Sequence, residues 1–158
     1  RRKEILALLV DWGYRADGVP VKLFGAWTTL PAGPATLAAK TGAIIAPLAI
    51  RRTPQGTLRL EAHDVFAVPS FDPADIQRAT QRIADFLEMT VGAAPEQWYS
   101  FKPMWPDTED EGRELEARAA AMLAGRTVVT AAPEGERAGS ASMPATDAPG
   151  EAASGVRS

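Results

Sequence analysis

The chain has 158 residues, which is enough for one domain of ordinary size but not comfortably for two. Its formal net charge of −3 argues against a general nucleic-acid binder, because such proteins carry a strongly basic face. It contains no Cys, which excludes disulfide scaffolds, thiol catalysis and Cys-based zinc sites, and a single His, which excludes mechanisms that need two.

The first predicted element is a buried strand. Residues 5–10 read Ile-Leu-Ala-Leu-Leu-Val, which is too short for a typical helix and apolar on both faces. Such a run is typical of a strand covered on both sides in a mostly parallel sheet. Residues 17–18 predict a turn, and residues 19–24 a second extended stretch. Residues 28–34 follow as a predicted rigid loop.

A helix and two strands are predicted next. Residues 35–41 are rich in helix formers, with Pro34 in the first turn and Gly42 as the terminator. Residues 43–50 form another apolar run, which predicts a second buried strand with Pro47 at its edge or at a bulge. A turn at residues 54–56 then leads into a strand in which leucines alternate with polar residues.

A long amphipathic helix completes the α/β pattern. Asp72 is the predicted N-cap, and Pro73 the first helical residue. The apolar positions that follow are spaced by three and four residues. They are Ile76, Ala79, Thr80, Ile83, Ala84, Leu87 and Val91.

The composition changes after Trp105. Residues 1–106 carry 12 basic and 10 acidic side chains (+2), whereas residues 107–158 carry 5 and 10 (−5). We expect residues 1–106 to form the folded unit and residues 107–130 a weak helical extension, with a helix near 109–123. We expect residues 131–158 to be a disordered tail, because 19 of these 28 residues are Ala, Gly, Ser or Pro.

Asp11 is the most informative polar residue. A carboxylate directly after a buried parallel strand stands where α/β folds place functional groups, although it could equally cap the following turn. His63 is expected at an exposed strand end, and its neighbour Asp64 would point to the opposite face. Lys40 is expected on a helix surface, since the glycine spacing of a phosphate-binding loop is missing. From the residues alone, the reaction stays open.

Several ordered blocks resemble one family. They are residues 8–15 (LLVDWGYR), 18–21 (GVPV) with 24–25 (FG), 29–35 (TLPAGPA) with 37–38 (LA), 41–43 (TGA) and 95–98 (PEQW). Their order and spacing resemble the bacterial lysophospholipid acyltransferase superfamily, in the branch of the late lipid A and phosphatidylinositol mannoside acyltransferases. The resemblance covers residues 1–106. It implies a mixed, mostly parallel sheet flanked by helices, present here as the C-terminal half of a glycerolipid acyltransferase-like fold.

The family's activity follows from the resemblance. Such enzymes lie on the cytoplasmic face of the inner (plasma) membrane, as peripheral proteins. They move an acyl chain from acyl-CoA or acyl carrier protein to a hydroxyl of a membrane phospholipid or glycolipid, such as a phosphatidylinositol mannoside. The implied partners are therefore the acyl donor, the lipid acceptor and the membrane surface, with no nucleic acid, metal or further cofactor.

The resemblance also implies roles for particular residues. Asp11 matches the acid that orients a general-base His, as in other base–orienter pairs. The other matched positions belong to the motif region that would line the donor or acceptor groove. They are Arg15, Thr29, Gly33 and Pro34.

The chain departs from the family at the base itself. The family's catalytic His precedes an acid by five positions and lies in the N-terminal half, and no residue of this chain supplies it. His63 lies downstream of the motifs, and Val68 stands where the acid should be. We therefore expect a longer parent enzyme with its His upstream of Arg1, and inactive, poorly folded material from these 158 residues alone. The alternative is a non-catalytic lipid- or partner-binding remnant.

Overall fold

The computed structural model of the protein describes residues 4–125. Within that range the chain forms six strands and three helices, with a 3-10 turn at Pro95–Gln97. In chain order they are β1 (Val19–Leu23), β2 (Ala26–Leu30), α1 (Gly33–Thr41), β3 (Ile44–Ile45), β4 (Leu48–Arg52), β5 (Leu58–Ala62), β6 (Phe66–Ala67), α2 (Pro73–Ala93) and α3 (Glu109–Leu123). The predicted disordered tail, residues 131–158, lies outside the described residues, as does the end of the predicted extension, residues 126–130.

β1 and β2 form an antiparallel hairpin in which Val19 pairs with Leu30. The two turn residues, Phe24 and Gly25, have φ angles of 50° and 79°. Positive φ at both central positions is the type I′ geometry, whose twist matches that of the paired strands. This tight turn corrects the expectation of a loop over residues 28–34, because it brings residues 28–30 back into register with β1.

The hydrophobic core lies between this hairpin and the helices α1 and α2. α2 begins at Pro73 with Asp72 as its N-cap residue, as predicted, and α1 ends at Gly42 in the left-handed conformation, also as predicted. The helical face predicted for α2 is buried, apart from the partly exposed Leu87. The central buried residues are Val19, Val21, Leu30, Ala35, Ala38, Phe66, Val68, Ile76, Ala79, Ile83 and Ala84.

Polar side chains of α2 close the outer edge of β1. Backbone N–H and C=O groups on a strand edge need partners, and here three side chains of α2 provide them. One of them, Gln81, binds both backbone groups of Lys22 through its amide. The bonds are Gln77 Nε2 to Pro20 O (3.3 Å), Lys22 N to Gln81 Oε1 (2.9 Å), Gln81 Nε2 to Lys22 O (2.8 Å) and Phe24 N to Glu88 Oε2 (2.7 Å).

α3 packs against β1, β2 and α2 and buries Leu115 and Ala119. It begins with a capping box, in which the Thr108 hydroxyl accepts from the N–H of Glu111 and the Glu111 carboxylate accepts from the N–H of Thr108. The helix expected near residues 109–123 is therefore confirmed at Glu109–Leu123. The division of the chain at residue 106 stays a prediction.

β4 and β5 form a second antiparallel hairpin, joined by the predicted turn at residues 54–56. No residue of either strand is buried. The expected strand over residues 43–50 is broken at Pro47, so that β3 pairs with β6 and β4 pairs with β5.

The sheet expected from the sequence differs from the sheets observed. The strands in residues 4–125 form three separate two-stranded antiparallel sheets, so the α/β character is confirmed and no parallel pair is present in that range. Residues 5–10, predicted as a buried strand, have no regular secondary structure, and Ile5 is fully exposed. A strand that is apolar on both faces needs a layer on each side, and of this run only Val10 packs against the core of the described residues.

Candidate functional site

The segment around Asp11 is laid against the aromatic stretch that follows the 3-10 turn. The N–H of Tyr14 donates to the carbonyl of Pro103 at 2.8 Å. Gly13 has a φ of 108°, and a Cβ atom there would stand 2.9 Å from the Cβ atom of Lys102. Gly13 is therefore required both by its backbone conformation and by the close approach of the two segments.

Asp11 lies on the surface, beside a group of aromatic rings. Its Oδ2 atom accepts a hydrogen bond from the indole Nε1 of Trp98 at 3.3 Å. The Trp98 ring lies 6.4 Å from the ring of Phe24, and the ammonium of Lys102 sits 4.5 Å above the ring of Trp12. This hydrogen bond joins two segments that are 87 residues apart in the sequence, and the functional role of Asp11 stays a prediction.

Arg15 and Thr29 are held together by two hydrogen bonds. The Thr29 hydroxyl donates to the Arg15 carbonyl at 2.6 Å and accepts from the Arg15 N–H at 3.1 Å. The guanidinium of Arg15 binds the carboxylate of Asp17, and this hydrogen bond holds the pKa of Asp17 below its ordinary value. Thr29 is buried and fixes the backbone of Arg15, whereas the Arg15 side chain is exposed.

Gly33 and Pro34 are the first two residues of α1. Gly33 is exposed, and no heavy atom would lie within 4 Å of a Cβ atom added to it. Pro34 fits the first helical turn, where a missing N–H costs no hydrogen bond. The two residues therefore border open space at the start of α1. The structure ties Asp11 to Trp98 and Arg15 to Thr29 by hydrogen bonds.

The structure adds two contacts that the sequence did not reveal. Trp98 was noted only as part of the 95–98 block, and it holds Asp11. Its neighbour Gln97 binds the end of β4, accepting from the N–H of Arg52 at 2.7 Å and donating to its C=O at 3.1 Å. The block at residues 95–98 is the part of the sequence that indicates these contacts, because it contains both Gln97 and Trp98.

Tyr14 faces α3 and is partly buried. Burial raises the pKa of its phenol above 10.0, with a further increase from the negative charge of Glu111. The phenol therefore stays protonated at neutral pH.

His63 lies apart from these residues. It is exposed, as expected, directly after β5, and its ring packs against Phe86 with centroids 5.6 Å apart. It lines an open pocket of about 260 Å³ to which none of the candidate site residues contributes. Across residues 4–125, no group of three or more potential metal ligands occurs, and no helix is long and apolar enough to span a membrane.

Comparisons with known proteins give a consistent result. Residues 1–106 match the family model described as bacterial lipid A biosynthesis acyltransferase. The chain is 28% identical over 118 residues to a phosphatidylinositol mannoside acyltransferase of Mycobacterium tuberculosis, which covers 75% of this chain and 36% of that protein. It is 31% identical over 111 residues to the enzyme of the same name from Mycolicibacterium smegmatis, covering 68% and 34%. The chain thus spans about a third of the length of the curated relatives it matches.

Proposed function

The chain belongs to the bacterial lipid A biosynthesis acyltransferase family, and from this premise we propose that the complete protein acylates a hydroxyl of a membrane phospholipid or glycolipid. The donor is a thioester, acyl-CoA or acyl carrier protein, and we propose no other cofactor. The names of the two relatives favour a phosphatidylinositol mannoside as acceptor. The family match over residues 1–106 carries the proposal.

Acyl transfer from a thioester requires a base for the acceptor hydroxyl. The hydroxyl oxygen attacks the thioester carbonyl carbon while its proton passes to the base. Collapse of the tetrahedral intermediate breaks the C–S bond, and the leaving thiolate takes up that proton. We assign the base to a His outside residues 1–158, and to Asp11 the role of orienting its imidazole. A carboxylate has two acceptor oxygens; one of them meets Trp98, and the other is assigned to the imidazole.

The remaining candidate residues border the substrate groove in this proposal. The exposed guanidinium of Arg15 suits a phosphate of the donor or the acceptor. Thr29 acts indirectly, because its hydroxyl holds the backbone of Arg15. Gly33 and Pro34 leave room for substrate at the start of α1.

We propose a peripheral location on the cytoplasmic face of the inner membrane. Trp12, Tyr99 and Phe101 are all more than half exposed and lie in the two segments that meet at Asp11. Aromatic side chains accompanied by a lysine, here Lys102, suit the boundary between water and lipid. An acyltransferase with a lipid acceptor needs such a surface beside its catalytic groups. Nucleic acid has no place in this proposal.

The test is Asp11→Asn in the complete polypeptide that carries this sequence. We expect turnover of acyl-CoA with a phosphatidylinositol mannoside acceptor, measured as thiol release, to fall by about two orders of magnitude. The melting temperature should stay the same, since Asp11 is exposed. Asp107→Asn, an exposed carboxylate outside the site, is the control and should retain full turnover. Unchanged turnover in Asp11→Asn would remove Asp11 from the mechanism.

One observation favours the second candidate, a non-catalytic lipid- or partner-binding remnant. The only His of these 158 residues is His63, which lies apart from Asp11 and lacks the acid five positions later. An acyltransferase without its base loses about two to four decades in rate. A complete polypeptide that binds lipid vesicles, contains no His five positions before an acid, and shows no thiol release with either donor would be this remnant.

A further inference from the structure

The turn of residues 15–18 determines where the Arg15 side chain lies. The N–H of Gly18 donates to the C=O of Arg15 at 3.0 Å, which closes a four-residue turn. Inside the turn, the Asp17 carboxylate accepts from Arg15 Nε at 3.0 Å and from Arg15 Nη2 at 3.1 Å. A bidentate pair of this kind fixes the plane of the guanidinium. A shift of the turn would therefore also shift the exposed guanidinium of Arg15.

An arginine of α3 holds this turn in place. Arg118 donates through Nη1 to the C=O of Ala16 at 2.7 Å and through Nη2 to the C=O of Gly18 at 2.8 Å. These two carbonyls flank Asp17 in the sequence, so the backbone is attached to α3 on both sides of that residue. The hydrogen bond from Arg15 is the main cause of the lowered pKa of Asp17, and the positive charge of Arg118 adds to it.

β2 holds the same turn as well. A Cβ atom added to Gly18 would stand 2.6 Å from the Cβ atom of Thr29, so the turn lies directly against β2. The Thr29 hydroxyl also binds the N–H and the C=O of Arg15. The turn thus has two attachments, one to β2 at its first residue and one to α3 on either side of Asp17.

The side chain of Arg118 makes these bonds at a cost. Its Nε atom is buried and has no hydrogen-bond partner among the described residues. Within residues 4–125 its guanidinium binds the two carbonyls and no carboxylate. A buried N–H group without a partner is unfavourable, and in a native protein it calls for an explanation. An apolar side chain at this half-buried position would avoid the cost, but it would leave the turn without its attachment to α3.

We propose that Arg118 is a positioning residue for substrate binding, which holds the Arg15 guanidinium where it meets a phosphate of the acyl donor or of the lipid acceptor. This rests on the part of the proposed function that places Arg15 at a substrate phosphate. Arg118 itself touches no substrate. It lies beyond residues 1–106, the part that matches the family model, so the proposal gives α3 a role in substrate binding.

The test measures ligand binding by Arg118→Met in the complete polypeptide. One probe is coenzyme A, which carries the phosphates of the donor; the other is phosphatidylcholine vesicles with and without phosphatidylinositol mannoside. We expect the Kd of at least one probe to rise about tenfold, because the charged hydrogen bond from Arg15 to the phosphate is weakened. The probe affected shows whether the phosphate belongs to the donor or to the acceptor. Unchanged Kd values for both probes would overturn the proposal.

The matched control is Arg113→Met. It removes the same charge from the same helix, but Arg113 is exposed and its ion pairs are with Glu109 and Asp110 of α3 itself. Both Kd values should therefore stay the same in this variant. An equal rise in Arg113→Met would mean that the charge of α3, and not the attachment of the turn, affects binding, and this would contradict the proposal.

A double variant separates positioning from a general loss of structure. If Arg118 acts through Arg15, then Arg15→Gln with Arg118→Met should have the same Kd as Arg15→Gln alone. Fold-changes that multiply would mean that Arg118 acts independently of Arg15, and would overturn the proposal. Should Arg118→Met fail to fold, Arg118→Lys replaces it, because an ammonium lacks the planar fork that binds both carbonyls. We then expect a rise of at least about threefold, and an unchanged Kd again overturns the proposal.

These binding measurements need no acyl transfer. A complete polypeptide that shows the expected Kd changes but releases no thiol would refute the proposed acyl transfer and keep the role of Arg118. A polypeptide that releases thiol while Arg118→Met binds both probes normally would refute the role of Arg118 and keep the acyl transfer.

Discussion

The β1–β2 and β4–β5 hairpins each have an outer strand edge with no partner strand, and they differ in what binds that edge. The outer edge of β1 is closed by Gln77, Gln81 and Glu88 from α2, and its side chains pack into the core. Within residues 4–125, the outer edge of β4 is closed only at Arg52, by a Gln amide that makes the same two bonds. The local geometry is the same, but one hairpin has a helix along its edge and the other does not.

The difference shows which part of the fold these residues complete by themselves. We call the β1–β2 hairpin with α1, α2 and α3 the closed region, and residues 5–12 with β4 and β5 the open region. In the closed region, the side chains that face the core, such as Val21 and Leu30, are buried. In the open region, apolar side chains face water, as Ile50 and Leu60 do. The open region therefore has an apolar sheet surface of the kind that a second layer of structure usually covers.

The largest effect is expected in the closed region. Leu23, the last residue of β1, is completely buried. Leu23→Ala should lower the free energy of unfolding of the complete polypeptide by about 2–5 kcal/mol, because it removes apolar contacts and leaves a cavity. Urea unfolding measures this change in the free energy of unfolding. Leu123→Ala, at a half-exposed position of α3, is the control and should cost much less. Equal costs would mean that Leu23 is not buried in the complete polypeptide.

The corresponding substitution in the open region is Leu60→Ala. Leu60 is 61% exposed here, so in the structure as it stands Leu60→Ala should cost under about 0.5 kcal/mol. If the rest of the complete polypeptide covers this face, the cost rises to about 2 kcal/mol. Urea unfolding of the complete polypeptide distinguishes the two values. A cost near the lower one would mean that the face of the hairpin stays open to water.

Local sequence patterns predict the helix ends of the closed region better than the strands of the open region, and the reason is physical. Gly42 and the Asp72-Pro73 pair mark helix ends through local backbone chemistry, and α1 ends and α2 begins where these residues predict. α1 begins at Gly33, two residues before the predicted start, with Pro34 in its first turn as predicted. Residues 5–10 were expected to be a strand, but a strand needs partners that a local pattern does not supply. The parallel sheet was likewise expected from resemblance, and the described residues contain none of its pairs.

The candidate site shows the same division. The position of Asp11 directly after an apolar run makes it a candidate functional residue. Its bond to Trp98 was not predicted, because the two residues are 87 positions apart and no periodicity connects them. The resemblance predicts Thr29 at a substrate groove, but it does not predict the two bonds between its hydroxyl and the backbone of Arg15. Roles that depend on long-range contacts are the part that sequence patterns leave open.

The glutamine bonds on the two edges can be compared by one substitution in each region. Gln81→Ala removes both hydrogen bonds to Lys22 and should cost about 1–2 kcal/mol of unfolding free energy. Gln97→Ala removes the equivalent pair at Arg52 and should cost less, about 0.5–1 kcal/mol, because water replaces the lost partners on an open edge. Hydrogen exchange at Lys22 and Arg52 reports each loss. A larger cost for Gln97→Ala would mean that the β4 edge is the better-ordered one.

The capping box of α3 tests whether this helix belongs to the closed region. Thr108→Ala should lower stability by about 1 kcal/mol, because the N–H of Glu111 loses its acceptor and the Glu111 carboxylate loses a hydroxyl donor. Thr108→Ser keeps the hydroxyl and is the matched control. The cost should appear in the same unfolding transition as that of Leu23→Ala. A separate transition would make α3 an independent extension, as the weak-helix prediction for residues 107–130 implies.

The smallest effect concerns the start of α2. A hydrogen bond from the Ser70 hydroxyl (2.7 Å), followed by the ion pair with Arg78, holds the pKa of Asp75 below its ordinary value of 3.8. A lowered pKa stabilises the fold at neutral pH, and that stabilisation is lost as the pH falls below 3.8 through the folded-state pKa. Ser70→Ala should raise the pKa of Asp75 towards 3.8, and Arg78→Gln should raise it less, as measured by NMR titration of the carboxyl carbon. A larger rise in Arg78→Gln would contradict this order. It would mean that Arg78, which is exposed, contributes more than Ser70 to the low pKa of Asp75.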